Sequence, residues 1–163
     1  MLSMKRISLV VAMTRGNVIG KEGKIPWDLP VERGLFGKLT RNKTVIVGRK
    51  TFESMGGALR GRHNIVLSRT EGKIEGVDVC RDFDCALSKA ESYRDEVFVI
   101  GGSDVYAQAI KIADIIHVSY IKKDHDGDRF FPEFDLSEWS VDERRGFADF
   151  EHIVYSRRAQ HRR

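Results

Sequence analysis

Four short runs of β-branched and aliphatic residues, spaced by stretches of helical periodicity, constrain the fold of this chain more than any other feature. Ile7 to Met13 is almost continuously apolar, and Val45-Ile46-Val47, Ile65-Val66-Leu67 and Val97-Phe98-Val99-Ile100 repeat the type. A strand with no polar face belongs in the middle of a sheet covered on both sides. Helices are predicted at about 30–41, 50–55, 83–92 and 103–113, the last with Val105, Ala109, Ile112 and Ala113 on one side. Strand and helix in alternation specify an α/β sheet, largely parallel in its middle. After Ile115 only strands are predicted, at about 114–121, 139–146 and 149–158, which closes one sheet edge with an antiparallel hairpin.

No internal repeat, low-complexity segment or linker divides the chain, and its 163 residues suit a single domain. Residues 1 to about 6 read as an N-terminal extension and about 158–163 as a basic tail. The formal net charge of +4 comes entirely from Arg157, Arg158, Arg162 and Arg163, since the other 24 basic residues balance 24 acidic ones. That pattern describes a solvated tail better than a nucleic-acid face, which would interleave basic and aromatic residues. No apolar run approaches the length of a membrane span, and the N-terminus lacks a signal-peptide pattern, so a cytoplasmic protein is expected. Cys80 and Cys85 match neither a CxxC pair nor a zinc framework, and the five histidines are scattered, so no metal site is expected.

Glu32 stands out against this background. If Pro30 opens a helix, Val31, Leu35, Leu39 and Phe36 fall within an arc of about 140° that has Glu32 inside it. A carboxylate in an apolar stripe must raise its pKa or find a donor. First-turn acids also complement the helix dipole without any chemical role, so the residue alone leaves both readings open. Three strand-to-helix junctions surround it in the predicted topology, at the carboxyl ends of strands where open α/β sheets bind ligands. One is the long loop from Val18 to Pro30, with Gly20, Gly23 and a Pro26-Trp27 pair, of a length often used as a lid. Another, Val47-Gly48-Arg49-Lys50-Thr51, could hold a phosphate, although the GxxxxGK[ST] spacing is absent. The third is Ile100-Gly101-Gly102-Ser103-Asp104-Val105-Tyr106, whose paired glycines allow close backbone approach. Each alone is equally compatible with a tight turn.

Taken together and in order, these segments closely resemble the dihydrofolate reductase family. The resemblance rests on Ile19-Gly20, Pro26-Trp27, Leu29-Pro30-x-Glu32-x-x-x-Phe36, Val47 to Gly56, Gly61-Arg62-x-Asn64, Ile100-Gly101-Gly102-x-x-Val105-Tyr106 and Gly127-Asp128-x-x-Phe131-Pro132. It implies a three-layer α/β fold: a central mixed, mostly parallel sheet, helices on both faces and a C-terminal antiparallel hairpin. It also implies NADPH-dependent reduction of 7,8-dihydrofolate to tetrahydrofolate, with hydride passing to pterin C6 and a proton to N5, in support of one-carbon and thymidylate metabolism. Glu32 would bind the pterin 2-amino group and N3–H, and Trp27 would hold water beside it as the second catalytic residue.

By the same resemblance, Phe36, Met55, Leu59 and Ile100 would line the substrate site, and Arg62 would fork onto the glutamate α-carboxylate. Ser119 stands where the family usually has a Thr bonded to the acid. Ala12, Ile19, Gly20 and Tyr106 would frame the nicotinamide, Ala12 and Tyr106 touching substrate as well. The cofactor's phosphates would fall to Gly48, Arg49, Lys50 and Thr51, and Gly101, Gly102, Ser103, Asp104 and Val105 would form a second cofactor wall. Gly101-Gly102 matches a pair joined in the family by a cis peptide. Ser68 and Arg69 would face the adenosine end, with Arg69 supplying a 2′-phosphate contact because Asp104 replaces an Arg found in some relatives.

The chain departs from the family pattern at several points. Glu rather than Asp occupies position 32, Arg33, Gly34 and Gly37 are atypical in that helix, and Gly57-Ala58-Leu59-Arg60 lacks the usual prolines. A monomer that binds dihydrofolate and antifolates such as trimethoprim is expected. The alternatives are a riboflavin-pathway pyrimidine reductase of related fold, or an RNA-binding module acting through the tail.

Overall fold

The computed structural model describes residues 5–70 and 72–159, so most of the expected N-terminal extension and basic tail lies outside it. The chain runs β1 (Ile7–Thr14), β2 (Val18–Gly20), α1 (Pro30–Thr40), β3 (Thr44–Gly48), α2 (Arg49–Ser54), β4 (His63–Leu67) and β5 (Asp78–Cys80). It continues through α3 (Phe83–Glu91), β6 (Val97–Val99), α4 (Ser103–Ala109), β7 (Ile115–Ile121), β8 (Arg129–Phe130), a 3₁₀ turn at Leu136–Glu138, β9 (Trp139–Gly146) and β10 (Phe150–Arg157).

Eight strands form one sheet in the order β5-β4-β3-β6-β1-β7-β10-β9. The first six pair in parallel, while β10 runs antiparallel to both β7 and β9. The apolar runs lie at its centre, with Leu9, Val45, Ile46, Val47, Ile65, Val66 and Val99 fully buried. Two apolar clusters cover its faces. One includes Leu9, Val11, Ile46, Ile116 and Val118 with residues of α3 and α4; the other includes Val10, Val45, Val47, Phe98 and Ile100 with Phe52 of α2, against which Phe36 and Leu39 of α1 pack. The outer strand β9 exposes a charged row from Asp142 to Arg145, which discourages another strand from docking there.

The structure adds to the sequence reading and corrects it in places. The loop expected from Val18 begins only at Lys21, because Val18–Gly20 pairs with β8 in a separate two-stranded sheet. The edge strand β5 was not anticipated, since three residues leave too short a pattern to read. Helix α4 ends at Ala109 rather than 113, where the Ile112 N–H turns back to the Ala109 carbonyl at 3.1 Å. Helix α3 starts where Asp82 accepts from the Cys85 N–H, and α1 starts on Pro30 with no side-chain cap. Among the described residues, no helix is long and apolar enough to cross a membrane.

The segment after β7 ties down the loop after β1. Asp128 N–H donates to Gly20 O at 3.0 Å, its carboxylate accepts from Glu22 N–H, and Phe131 N–H reaches Asn17 O at 2.8 Å. Gly127 makes the approach possible, since a Cβ there would lie 2.3 Å from Val18 Cγ1 and 2.6 Å from Gly20 O.

Candidate active site

Parallel pairing brings the ends of β1, β3 and β6 to one rim of the sheet. The Gly48 N–H donates to Gly101 O at 2.8 Å, so the junctions after β3 and β6 are joined directly. The Gly101-Gly102 peptide is cis, as the resemblance implied. A Cβ on Gly101 would stand 3.2 Å from the Tyr106 ring, one on Gly48 3.2 Å from Val105 Cγ2, and one on Gly102 2.9 Å from Thr51 Oγ1. These glycines give the seam its closeness. Nearby, the Ser103 hydroxyl is sheltered from solvent without a hydrogen-bond partner.

Tyr106 is buried and donates to the Val10 carbonyl at 2.6 Å, which fixes its ring beside the seam. Burial pushes its hydroxyl above the ordinary phenolic range, and the charge of Glu32 pushes it further. The charge of the helical carboxyl thus reaches the tyrosine that packs on the glycine seam. Glu32 is half-buried, and loss of solvent pushes its own pKa up to about 7. The amphipathic stripe of α1 is real but only half covered: Leu35, Phe36 and Leu39 are half-buried, Val31 is 61% exposed, and Thr40 is the helix's one buried residue. Phe36 and Leu39 join Met55 and Leu59 against the sheet cluster that contains Val10 and Ile100, forming an apolar wall next to the carboxyl.

Arg62 lies at the far end of α1. Its Nη2 donates to Gly37 O at 2.8 Å and Thr40 Oγ1 at 3.1 Å, its Nε to Thr40 Oγ1 at 3.2 Å, and its Nη1 to Arg60 O at 2.6 Å. Of the five N–H donors of a guanidinium, one is left uncommitted. A forked grip on a carboxylate therefore requires an exchange with one of these internal acceptors. Thr40 was not anticipated as the anchor of this arginine; a Thr in the last turn of a helix carries no distinguishing pattern.

Other expected residues fall around the seam with partners of their own. Arg49 pairs with Glu53 at 2.7 Å, Ala12 and Ile19 are half-buried, and Gly20 is buried against Arg129. Lys50, Arg69 and Asp104 are exposed. Ser68 is buried after β4, its hydroxyl accepting from the Thr70 N–H at 3.4 Å. Trp27 packs its ring near His125, with centroids 5.4 Å apart.

Ser119 differs from the expectation drawn for it. Its hydroxyl pairs with His152 Nδ1 at 3.3 Å, both residues buried, because β7 and β10 set them directly opposite one another. His152 in turn stacks near His117, whose Nδ1 is buried without a partner. Burial lowers the pKa of both rings, that of His117 to about 4.

Glu32 and His117 therefore act on stability with opposite signs. Between 4.5 and about 7 the folded protein keeps a proton on Glu32 that the unfolded chain has lost, so that contribution falls as pH rises. Between about 4 and 6.5 the unfolded chain protonates His117 while the folded ring stays neutral, so that contribution falls as pH drops. Where the windows overlap, the two slopes offset. Glu32→Gln removes one of them: its Tm is expected to exceed that of the wild type at pH 8 and to drop more steeply on acidification from 6.5 to 4.5. Thermal unfolding across that range checks the sign, and a parallel shift at all pH values would contradict it.

Comparison with known proteins agrees with this geometry. Residues 6–162 match the family model described as dihydrofolate reductase. The chain is 42% identical over 135 residues to the dihydrofolate reductase of Haemophilus influenzae, covering 83% of this chain and 84% of that one. It is 36% identical over 161 residues to the Bacillus subtilis dihydrofolate reductase, covering 93% and 95%. Among solved structures, a dihydrofolate reductase from Enterococcus faecalis complexed with NADP(H) and RAB-propyl superposes with a TM-score of 0.85 at 35% identity, covering 93% of this chain and 96% of that one. With the family model matching residues 6–162 and relatives of 36–42% identity covering most of its length, this chain belongs to the dihydrofolate reductase family.

Proposed function

We propose that this protein reduces 7,8-dihydrofolate to 5,6,7,8-tetrahydrofolate with NADPH. The observation that carries the reading is the half-buried Glu32 carboxyl on the apolar face of α1, whose pKa burial raises to about 7 and whose charge reaches Tyr106. A flat heterocycle with an amino group beside a ring N–H presents two donors to a carboxylate, and a two-point charged contact fixes its orientation. Phe36, Met55, Leu59 and Ile100 supply apolar surface for the rest of the ring system and the benzoyl group, and Arg62 supplies the cation for the glutamate.

The cofactor provides the hydride. The residues present suit it: the partnerless Ser103 hydroxyl offers a donor, and the side-chain-free cradle at Gly48, Gly101 and Gly102 leaves room for close backbone approach. Arg49, Lys50 and Thr51 would take phosphate oxygens, with Ser68 and Arg69 toward the adenosine and Ala12, Ile19, Gly20, Val105 and Tyr106 around the nicotinamide. Tyr106, held by Val10, orients that end of the site. Glu32 holds the pterin without itself reaching N5, and the proton arrives through water sheltered by Trp27. Antifolates with a diaminopyrimidine ring would use the same carboxylate, and the protein would act as a cytoplasmic monomer.

Loss of NADPH absorbance on adding dihydrofolate, abolished by trimethoprim or methotrexate, tests the assignment. Turnover of a riboflavin-pathway pyrimidine in place of dihydrofolate would overturn it. A second test concerns cofactor choice: Arg69→Ser is expected to cut the preference for NADPH over NADH by about 10-fold, the scale of one charge-assisted phosphate contact. Unchanged kcat/KM for the two cofactors would remove Arg69 from that role.

A further inference from the structure

Cys80 and Cys85 are the chain's two cysteines, and the fold brings them together where β5 meets α3. Cys80 ends β5 in the apolar cluster that includes Phe83, Ala86 and Ala90 of α3, and is only 4% exposed. Cys85 lies in the first turn of α3, where the Asp82 carboxylate accepts from its N–H at 2.8 Å and its side chain is exposed. The turn between them is short and open, with Arg81 and Asp82 both exposed. Across it the Cys85 thiol reaches the Cys80 thiol as a hydrogen-bond partner.

The surroundings make the two sulfurs unequal. Burial, then the adjacent Cys85 thiol, then the charge of Asp78 push the Cys80 thiol up to about 12, against a weaker opposing effect of Lys89. Cys80 therefore keeps its proton and is sheltered from solutes, whereas Cys85 meets them. One accessible sulfur beside one sheltered sulfur is the arrangement of thiols that respond to oxidants, the second resolving what the first has become. Neither residue is needed for the folate or cofactor walls, so both are free for this chemistry.

We propose that Cys80 and Cys85 form a reversible redox site whose oxidant is a hydroperoxide. The Cys85 sulfur takes the terminal peroxide oxygen, the O–O bond breaks, and the rest of the peroxide leaves as an alcohol, or as water from hydrogen peroxide. Cys85 is then a sulfenic acid, oxidised by two electrons. The Cys80 sulfur attacks the Cys85 sulfur, the S–S bond forms as the S–O bond breaks, and the departing hydroxide leaves as water with the Cys80 proton. In β4, Leu67 pairs with Cys80, and the Ser68 N–H donates to Cys80 O at 2.9 Å. On the reading given under Proposed function, closing the disulfide thus shifts the backbone that seats Ser68 and Arg69 at the adenosine end.

The test treats the full chain with dilute hydrogen peroxide and follows free thiols and the masses of the fragments that carry the two cysteines. The wild type is expected to lose both thiols and two hydrogen atoms while remaining a single chain, and to regain them with dithiothreitol. Cys80→Ala should stop at a Cys85 sulfenic acid that dimedone traps, and Cys85→Ser should leave Cys80 unmodified at the same dose. A wild type that stays reduced, gains oxygen at Cys85 or crosslinks between chains overturns the site. In the oxidised wild type KM for NADPH is expected to rise about 3-fold, the scale of one weakened hydrogen bond, and to return on reduction; Cys85→Ser should show no such rise. An unchanged KM overturns the link to Ser68 and Arg69. If the wild type reduces no dihydrofolate, the functional assignment fails while the masses still decide the disulfide.

Discussion

Glu32→Gln is expected to lower turnover of dihydrofolate at neutral pH by about 100-fold, within the range typical of groups that hold or move a proton in a transition state. Glutamine keeps the size of the side chain but offers one acceptor oxygen and one amide donor where the pterin presents two donors. The ring then loses one of its two anchors and the negative charge that favours protonation. At low pH the substrate reaches the site already protonated, so the deficit should shrink. Profiles of kcat against pH for both proteins decide the matter: a constant ratio from pH 5 to pH 8 would mean that the side chain serves only to hold the helix.

Arg62→Leu is expected to raise KM for dihydrofolate about 30-fold while leaving kcat nearly intact, because the contact is made equally in ground and transition states. The same change leaves the Gly37 carbonyl and the Thr40 hydroxyl without their donor, so Tm should also fall. Arg62→Lys separates the two effects. Lysine carries the charge but cannot reach Gly37, Thr40 and Arg60 at once, so it should recover part of the affinity and little of the stability. A Leu variant whose KM for dihydropteroate rises as much as that for dihydrofolate would show that the arginine shapes the site without contacting the glutamate.

The central strands were legible because a run such as Val45-Ile46-Val47 has no polar residue to place at a surface, and one environment satisfies it. The two- and three-residue strands β2, β5 and β8 were not, because pairing partners define them rather than any pattern within them. Glu32 was legible as an anomaly: a charge within an apolar stripe needs a reason. The glycine seam was legible as two separate strand ends, and only the pairing of β3 with β6 shows that the Gly48 N–H closes onto Gly101. What escaped was the choice of partner across long sequence distances. Ser119 meets His152, Trp27 meets His125, and Arg62 is held by Thr40, each set by which strand or helix lies alongside.

The half-covered stripe of α1 has a consequence for the protein in the cell. Phe36 is half-buried, so on the proposed function a guest lying against it would cover apolar surface that the fold leaves open and add to the hydrophobic layer. Anything that binds the folded form alone lowers the fraction of open chains exposed to proteases. Abundance would then rise with the supply of guest, and an inhibitor that blocks turnover would at the same time lengthen the lifetime of its own target.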